Sequence, residues 1–145
     1  MRHNTIGATV LALAAATAVA VWPGSASATA LDPEPVGGRE RVKVTVTSTE
    51  VEPLGCWVSV DGGDTRKIDV PVGGKQSVLL SQVAPGTRMV RTICYTQPPV
   101  PNPQILVLDS TRPVQVELAN VVLDGLDGLL VGTGSSSMAT DPALR

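Results

Sequence analysis

Between Arg41 and Asn120 apolar side chains recur at every second position, and a period of two argues for strands over helices across most of the chain. Val42, Val44 and Val46 alternate with Lys43, Thr45 and Thr47, while Val114, Val116 and Leu118 alternate with Gln115 and Glu117. Each segment therefore has one face to bury and one to leave wet, as antiparallel strands do. Segments 55–60, 65–70, 77–83, 88–96 and 104–109 read as further strands. The turn formers Asp61-Gly62-Gly63-Asp64, Val72-Gly73-Gly74 and Ala84-Pro85-Gly86 separate several of them. The pattern predicts an all-β fold, a small antiparallel β-sandwich of immunoglobulin-like shape with about seven short strands and one disulfide.

The chain opens with Arg2, an apolar run from Ile6 to Trp22, the breaker Pro23-Gly24 and the small triplet Ala26-Ser27-Ala28. This order predicts a secretory signal peptide over 1–28, with Thr29 as the mature start to within two residues. The run is short for a bilayer span, which needs about 20 residues, so cleavage is expected to leave no transmembrane anchor. Its Ala, Val and Thr richness resembles that of bacterial exported proteins. Segment 29–40, with Pro33, Pro35 and Gly37-Gly38, reads as an extended leader, 41–131 as the sandwich domain, and 132–145 as a flexible tail.

Removing 28 of 145 residues leaves 117, enough for one domain. The sole histidine, His3, leaves with the signal, and so does Arg2. Ten basic residues then face 13 acidic ones, with no basic block, so nucleic acid is not an expected partner. Arg39, Arg41 and Lys43, interrupted by Glu40, read as the solvated edge of a strand.

Cys56 and Cys94 are expected to pair in an oxidising compartment. Closing a loop of that length stabilises by roughly 4 kcal/mol in the chain-entropy picture, with Cα atoms expected about 4.4–6.8 Å apart. A metal or redox role is not expected, because there is no Cys-x-x-Cys and no histidine to complete a tetrahedral set. Immunoglobulin domains also combine cysteine and tryptophan, but here Trp57 directly follows Cys56 and must point to the opposite sheet face. Val83-Ala84-Pro85-Gly86-Thr87-Arg88-Met89-Val90 resembles the Pro-Gly turn and strand of small bacterial sandwich modules, including PEGA-type and transthyretin-like ones. That resemblance implies a shape and no site.

Two carboxylate motifs invite chemistry. Asp61 and Asp64 across two glycines could serve a small hydrolase, yet a hairpin turn uses the same residues. Leu123-Asp124-Gly125 and Leu126-Asp127-Gly128 could present oxygens to calcium, but the remaining ligands of a calcium loop are missing, and a turn or last strand is the plainer expectation. Without histidine, a nucleophile elbow or Ser-x-x-Lys, no catalytic residue, cofactor or metal is assigned.

Surface recognition remains. If Cys56 and Cys94 face the core, so do Val58, Val60 and Val90, while Trp57, Met89, Ile93 and Tyr95 point outward. Tyr95 runs into Gln97-Pro98-Pro99-Val100-Pro101-Asn102-Pro103, a stiff loop. Trp57, Ile93, Tyr95, Pro98, Pro99 and Pro101 are thus the candidate binding residues, unless the loop covers the aromatics. The expected function is a secreted, non-enzymatic binding or structural module whose partner is a protein or glycan of the cell envelope or extracellular space. The alternative is a secreted inhibitor of an extracellular enzyme, acting through loop 97–103.

Overall fold

The computed structural model describes residues 31–99 and 101–145. The expected signal peptide over 1–28, His3 and the start at Thr29 lie outside the described residues. Seven strands form two antiparallel sheets. They are β1 (Leu31–Gly38), β2 (Arg41–Ser48), β3 (Leu54–Val60), β4 (Arg66–Val70), β5 (Lys75–Ser81), β6 (Gly86–Thr96) and β7 (Leu106–Val116). A helix α1 (Val121–Gly132) and two 3-10 turns at Ser136–Met138 and Pro142–Leu144 follow.

One sheet has the order β1-β2-β5 and the other β4-β3-β6-β7. Relative to a constant-type immunoglobulin domain, the fourth strand has moved from the edge of the first sheet to the edge of the second. The core between the sheets is aliphatic. Val42, Val44, Val46 and Leu80 meet Leu54, Cys56, Val58, Ile68, Val90 and Cys94. The alternation read along β2 and β3 is observed except at Thr45, which was expected on the wet face of β2 and is buried; the cysteines lie inside and Trp57 on the other face of β3.

The strand count agrees with the sequence reading for partly compensating reasons. Segments 104–109 and 114–118, expected as two strands, belong largely to one strand, β7, which runs along the sheet edge. Pro113 sits within it opposite Met89, a placement that an edge tolerates because no outer neighbour needs its missing N–H. The strand made up for this is β1, which occupies most of the segment expected as an extended leader and pairs with β2 from Leu31↔Ser48 to Gly38↔Arg41. Pro33 and Pro35, two apart, both direct their nitrogens to the edge away from β2, so neither interrupts the ladder.

Beyond β1 the chain crosses to β7 in parallel. Glu117 N donates to Gly38 O and Glu40 N to Glu117 O, each at 2.9 Å. The approach is close enough that a Cβ on Gly37 would overlap the Gln115 carbonyl, and one on Gly38 would overlap the Asp141 carboxylate. Gly37→Ala is therefore expected to destabilise the domain by about 1–3 kcal/mol, the usual range for overpacking. A urea midpoint unchanged from the parent protein would show that this seam opens freely.

The segment expected as a flexible tail is likewise packed. Ala139, Asp141 and Ala143 are buried, and Pro142–Leu144 lies against β1 and β2. Arg145 donates to the Ala139 carbonyl at 2.7 Å, while Lys43 donates to the carbonyl oxygen of Arg145.

Candidate functional site

Cross-strand register assembles the proposed face. Trp57 lies opposite Ile93 on β6 and Lys67 on β4, and Gly55 lies opposite Tyr95 and Asp69. Directly opposite residues share a sheet face, so Trp57, Ile93 and Tyr95 stand together on the outer side of the four-stranded sheet. All three are half-buried. The Trp57 and Tyr95 rings meet edge to face, with centroids 5.6 Å apart and planes at 81°, an arrangement that fixes both orientations. Lys67 Nζ lies 5.8 Å from the centre of the Trp57 ring.

A shift in the β6–β7 register between Cys94 and Tyr95 extends this surface. Cys94 pairs with Leu108 but Tyr95 pairs with Leu106, which leaves Val107 as an extra residue. Val107 and Leu108 both pack on the core, and exposed Leu106 comes to lie beside Tyr95.

Two ion pairs border the aromatic centre. Lys67 and Asp69 approach to 2.9 Å on β4, and Arg91 holds Asp109 through two bonds of 3.0 and 2.7 Å on the β7 side. The Lys67 bond, followed by that of Gln97, keeps the Asp69 carboxyl below its ordinary range, and the Arg91 bond does the same for Asp109. Gln97 donates to Asp69 at 2.9 Å, and its amide fills the space that a side chain on Gly55 would need. The result is an apolar centre with a charged rim, the usual layout of a small recognition surface. Sequence analysis missed the rim, because it becomes visible only once the β3–β4 and β6–β7 registers are known.

Thr96 and Ile105 tie the base of the proline loop. Thr96 N donates to Ile105 O at 2.9 Å, and Ile105 N donates to Thr96 Oγ1 at 3.0 Å. Within the loop Pro98 is half-buried, while Pro99 and Pro101 are exposed. Asn102 N donates to Pro99 O at 3.2 Å, which closes a turn at its tip.

In the other carboxylate motifs Asp61, Asp124 and Asp127 are engaged in structural hydrogen bonds, while Asp64 is exposed. Asp61 and Gly62 both have positive φ, 50° and 72°, and Gly63 N donates to Val60 O, which makes a tight hairpin turn. The Asp61 carboxylate accepts from Met89 N at 2.8 Å and from Arg88 at 3.2 Å, and these bonds hold it below the ordinary aspartate range. An aspartate so engaged is a poor proton donor for hydrolysis.

The two Leu-Asp-Gly repeats form a helix, neither the turn nor the strand expected. Asn120 caps it, its side chain accepting from Leu123 N at 3.2 Å, and its own N–H donates to Asp124 at 2.9 Å. Three-residue spacing puts Asp124 and Asp127 on one side of α1. There they meet Arg39, which is 4% exposed and so is not the solvated residue expected from sequence. Arg39 Nε donates to Asp124 at 2.8 Å, and its other nitrogens reach Asp127 and the Thr140 hydroxyl. Arg41 Nε lies 3.2 Å from Asp141. The signal for this cluster was available but unread: an apolar segment whose only charges are two aspartates three residues apart. Among the described residues no group of three or more histidine, cysteine or acidic side chains is placed to hold a metal ion.

No family model matches the sequence, and no curated protein matches it. Solved structures similar to it include WR4, an MSP family member of C. elegans, at 14% identity over 63% of this chain and 99% of that one, TM-score 0.44. SSP-19, an MSP-domain-like protein of Caenorhabditis elegans, is 12% identical over 57% of this chain and 91% of its own, TM-score 0.43. The ASH/PapD-like domain of human CEP192 is 12% identical over 82% of this chain and 100% of its own, TM-score 0.37. At these scores neither site nor partner is carried over, and the β-sandwich assignment rests on the strand order and register described above.

Proposed function

We propose that this chain is an exported, non-enzymatic binding module that engages a protein or glycan of the cell envelope or extracellular space through the outer face of its four-stranded sheet. One observation carries the reading: the aromatic rings of Trp57 and Tyr95, with the aliphatic side chain of Ile93, are pooled half-exposed on one face within a charged rim. Rigid aromatics with an apolar body and a polar tip give much contact area at little ordering cost, which is why they dominate binding hot spots.

Trp57→Ala is expected to abolish capture of envelope or culture-supernatant material by the immobilised protein, while the urea midpoint moves little. Tyr95→Ala should act in the same direction. Trp57 fluorescence in the free protein should be quenched by iodide, and bound material should protect it. A Trp57→Ala variant that captures the same material as the parent defeats the reading.

The anchored base and exposed tip of the proline loop favour a second reading, a secreted inhibitor of an extracellular enzyme that inserts this loop. Such a loop loses little freedom on binding. Here Pro99→Gly combined with Pro101→Gly would remove activity, whereas Trp57→Ala would not.

A further inference from the structure

We propose that the ligand of the face carrying Trp57 and Tyr95 is an uncharged glycan. This rests on the proposed binding role of that face, whose partner it narrows from protein or glycan to a neutral polysaccharide.

Charge decides first. The rim holds four ionised side chains, but they are spent on one another: Lys67 pairs with Asp69 at 2.9 Å and Arg91 with Asp109 at 2.7 Å. An anionic polymer or a charged peptide would have to break one pair for each that it formed, and exposed pairs are each worth little. Hydrogen-bonding capacity, in contrast, is left over. Lys67 and Gln97 both bond Oδ1 of Asp69, so Oδ2 takes no part in either bond. Gln97 donates from Nε2, which leaves its Oε1 as an acceptor, and Arg91 uses Nε and Nη2, which leaves Nη1 as a donor. Acceptors beside β4 and a donor on β6 thus flank the apolar centre without net charge. The Gln97 amide occupies the space over Gly55, and Trp57 Cη2 lies 3.3 Å from where a Cβ there would stand, so a polar group sits at the end of the indole. A pyranose matches both parts. The C–H bonds on its faces rest on apolar rings, and each hydroxyl around its edge can donate and accept.

Size points the same way. Three strand spacings of about 4.8 Å put β4 roughly 14 Å from β7, and the four-residue step from Tyr95 to Arg91 is also roughly 14 Å. A patch of that size is about a quarter of the about 800 Å² that each partner gives to a standard protein interface. It suits a narrow chain laid across the strands. The Lys67 ammonium, 5.8 Å from the Trp57 ring centre, belongs to an exposed side chain, so a sugar that displaces it disturbs no buried contact.

The test immobilises the full-chain protein and applies envelope or culture-supernatant material digested beforehand with proteinase K. Capture is expected to survive the digestion, and acid hydrolysis of the eluate should release neutral sugars with few uronic acids. Trp57→Ala should abolish this capture. Gln97→Ala should reduce it by about fivefold, the worth of about one hydrogen bond, with unchanged circular dichroism. Hexagalacturonate, an anionic hexasaccharide, should not bind. Capture that is lost on proteinase K digestion assigns the face to a polypeptide, which overturns the glycan while the binding face stands. Retention of hexagalacturonate, an eluate rich in uronic acids, or a Gln97→Ala yield equal to the parent's overturns it too. If undigested material shows no capture that depends on Trp57, the binding face itself is wrong and the glycan falls with it.

Discussion

Arg39→Met is expected to lower the stability of the domain by about 3–5 kcal/mol, the loss typical when one partner of a buried ion pair is removed. It should also release the C-terminal segment before the sandwich itself unfolds. Arg39 stands at the junction of β1 and β2, and its guanidinium serves three acceptors: Asp124, Asp127 and the Thr140 hydroxyl. Its backbone N–H donates to Asp141 at 2.9 Å. Methionine fills similar volume yet leaves the Asp127 carboxylate facing the Thr140 and Asp141 amides, at 2.6 and 2.9 Å, without the Arg39 cation. Lysine should also destabilise, because a single ammonium cannot reproduce a fork that spans three acceptors. Hydrogen exchange resolves the order of events: amides of α1 and of 133–145 should exchange faster than those of β3 and β6. A stability change below about 1 kcal/mol with these amides still protected would show that apolar packing alone holds the segment.

The same cluster sets an acid limit. The Arg39 bond holds the Asp124 carboxyl below its ordinary value. At Asp127 burial pushes the carboxyl up, but the Thr140 and Asp141 amides, the Thr140 hydroxyl and Arg39 together outweigh it and leave the value lowered. For groups whose folded value is depressed, the stabilisation is in place above the unfolded value, about 3.9 for aspartate, and is lost as pH falls through the folded value. Acid rather than alkali therefore loosens the C-terminal segment.

How much of this was legible in the sequence depends on whether the information was local. The alternation of Val42, Val44 and Val46, and the opposed directions of Cys56 and Trp57, follow from the two-residue period of a strand, and both are observed. Strand β1 was obscured because Pro33 and Pro35 count against a strand until its place at a sheet edge is known. Helix α1 was obscured because Asp-Gly is a turn signal and glycine disfavours helices. The contacts of Asp124 and Asp127 with an arginine more than 80 residues away override that local preference. The candidate face lies between these cases. Its aromatics were readable from alternation along single strands, whereas the flanking Lys67, Asp69, Arg91 and Asp109 required pairings that no single segment specifies.

Replacing both cysteines by alanine is the second change expected to have a large effect, with a loss of about 2–5 kcal/mol. Cys56 and Cys94 are bonded across a loop of 38 positions, and both are fully buried. They differ from expectation in one respect. Their Cα atoms are 4.1 Å apart, closer than the about 4.4–6.8 Å anticipated, because the bond joins residues directly opposite on neighbouring strands and does not span the two sheets. A bond between adjacent strands adds little to native geometry that the ladder does not already define. Its stabilisation therefore arises chiefly from restricting the unfolded chain, which leads to a specific signature. The cysteine-free protein should exchange a constrained denatured state for a more expanded one, so its urea m-value should rise as its midpoint falls. The chain has no phenylalanine, and its aliphatic core offers little reserve to absorb the loss. A lower midpoint with an unchanged m-value would instead assign the effect to core packing around the two sulfurs, and an unchanged midpoint would show that the sandwich stands without its crosslink.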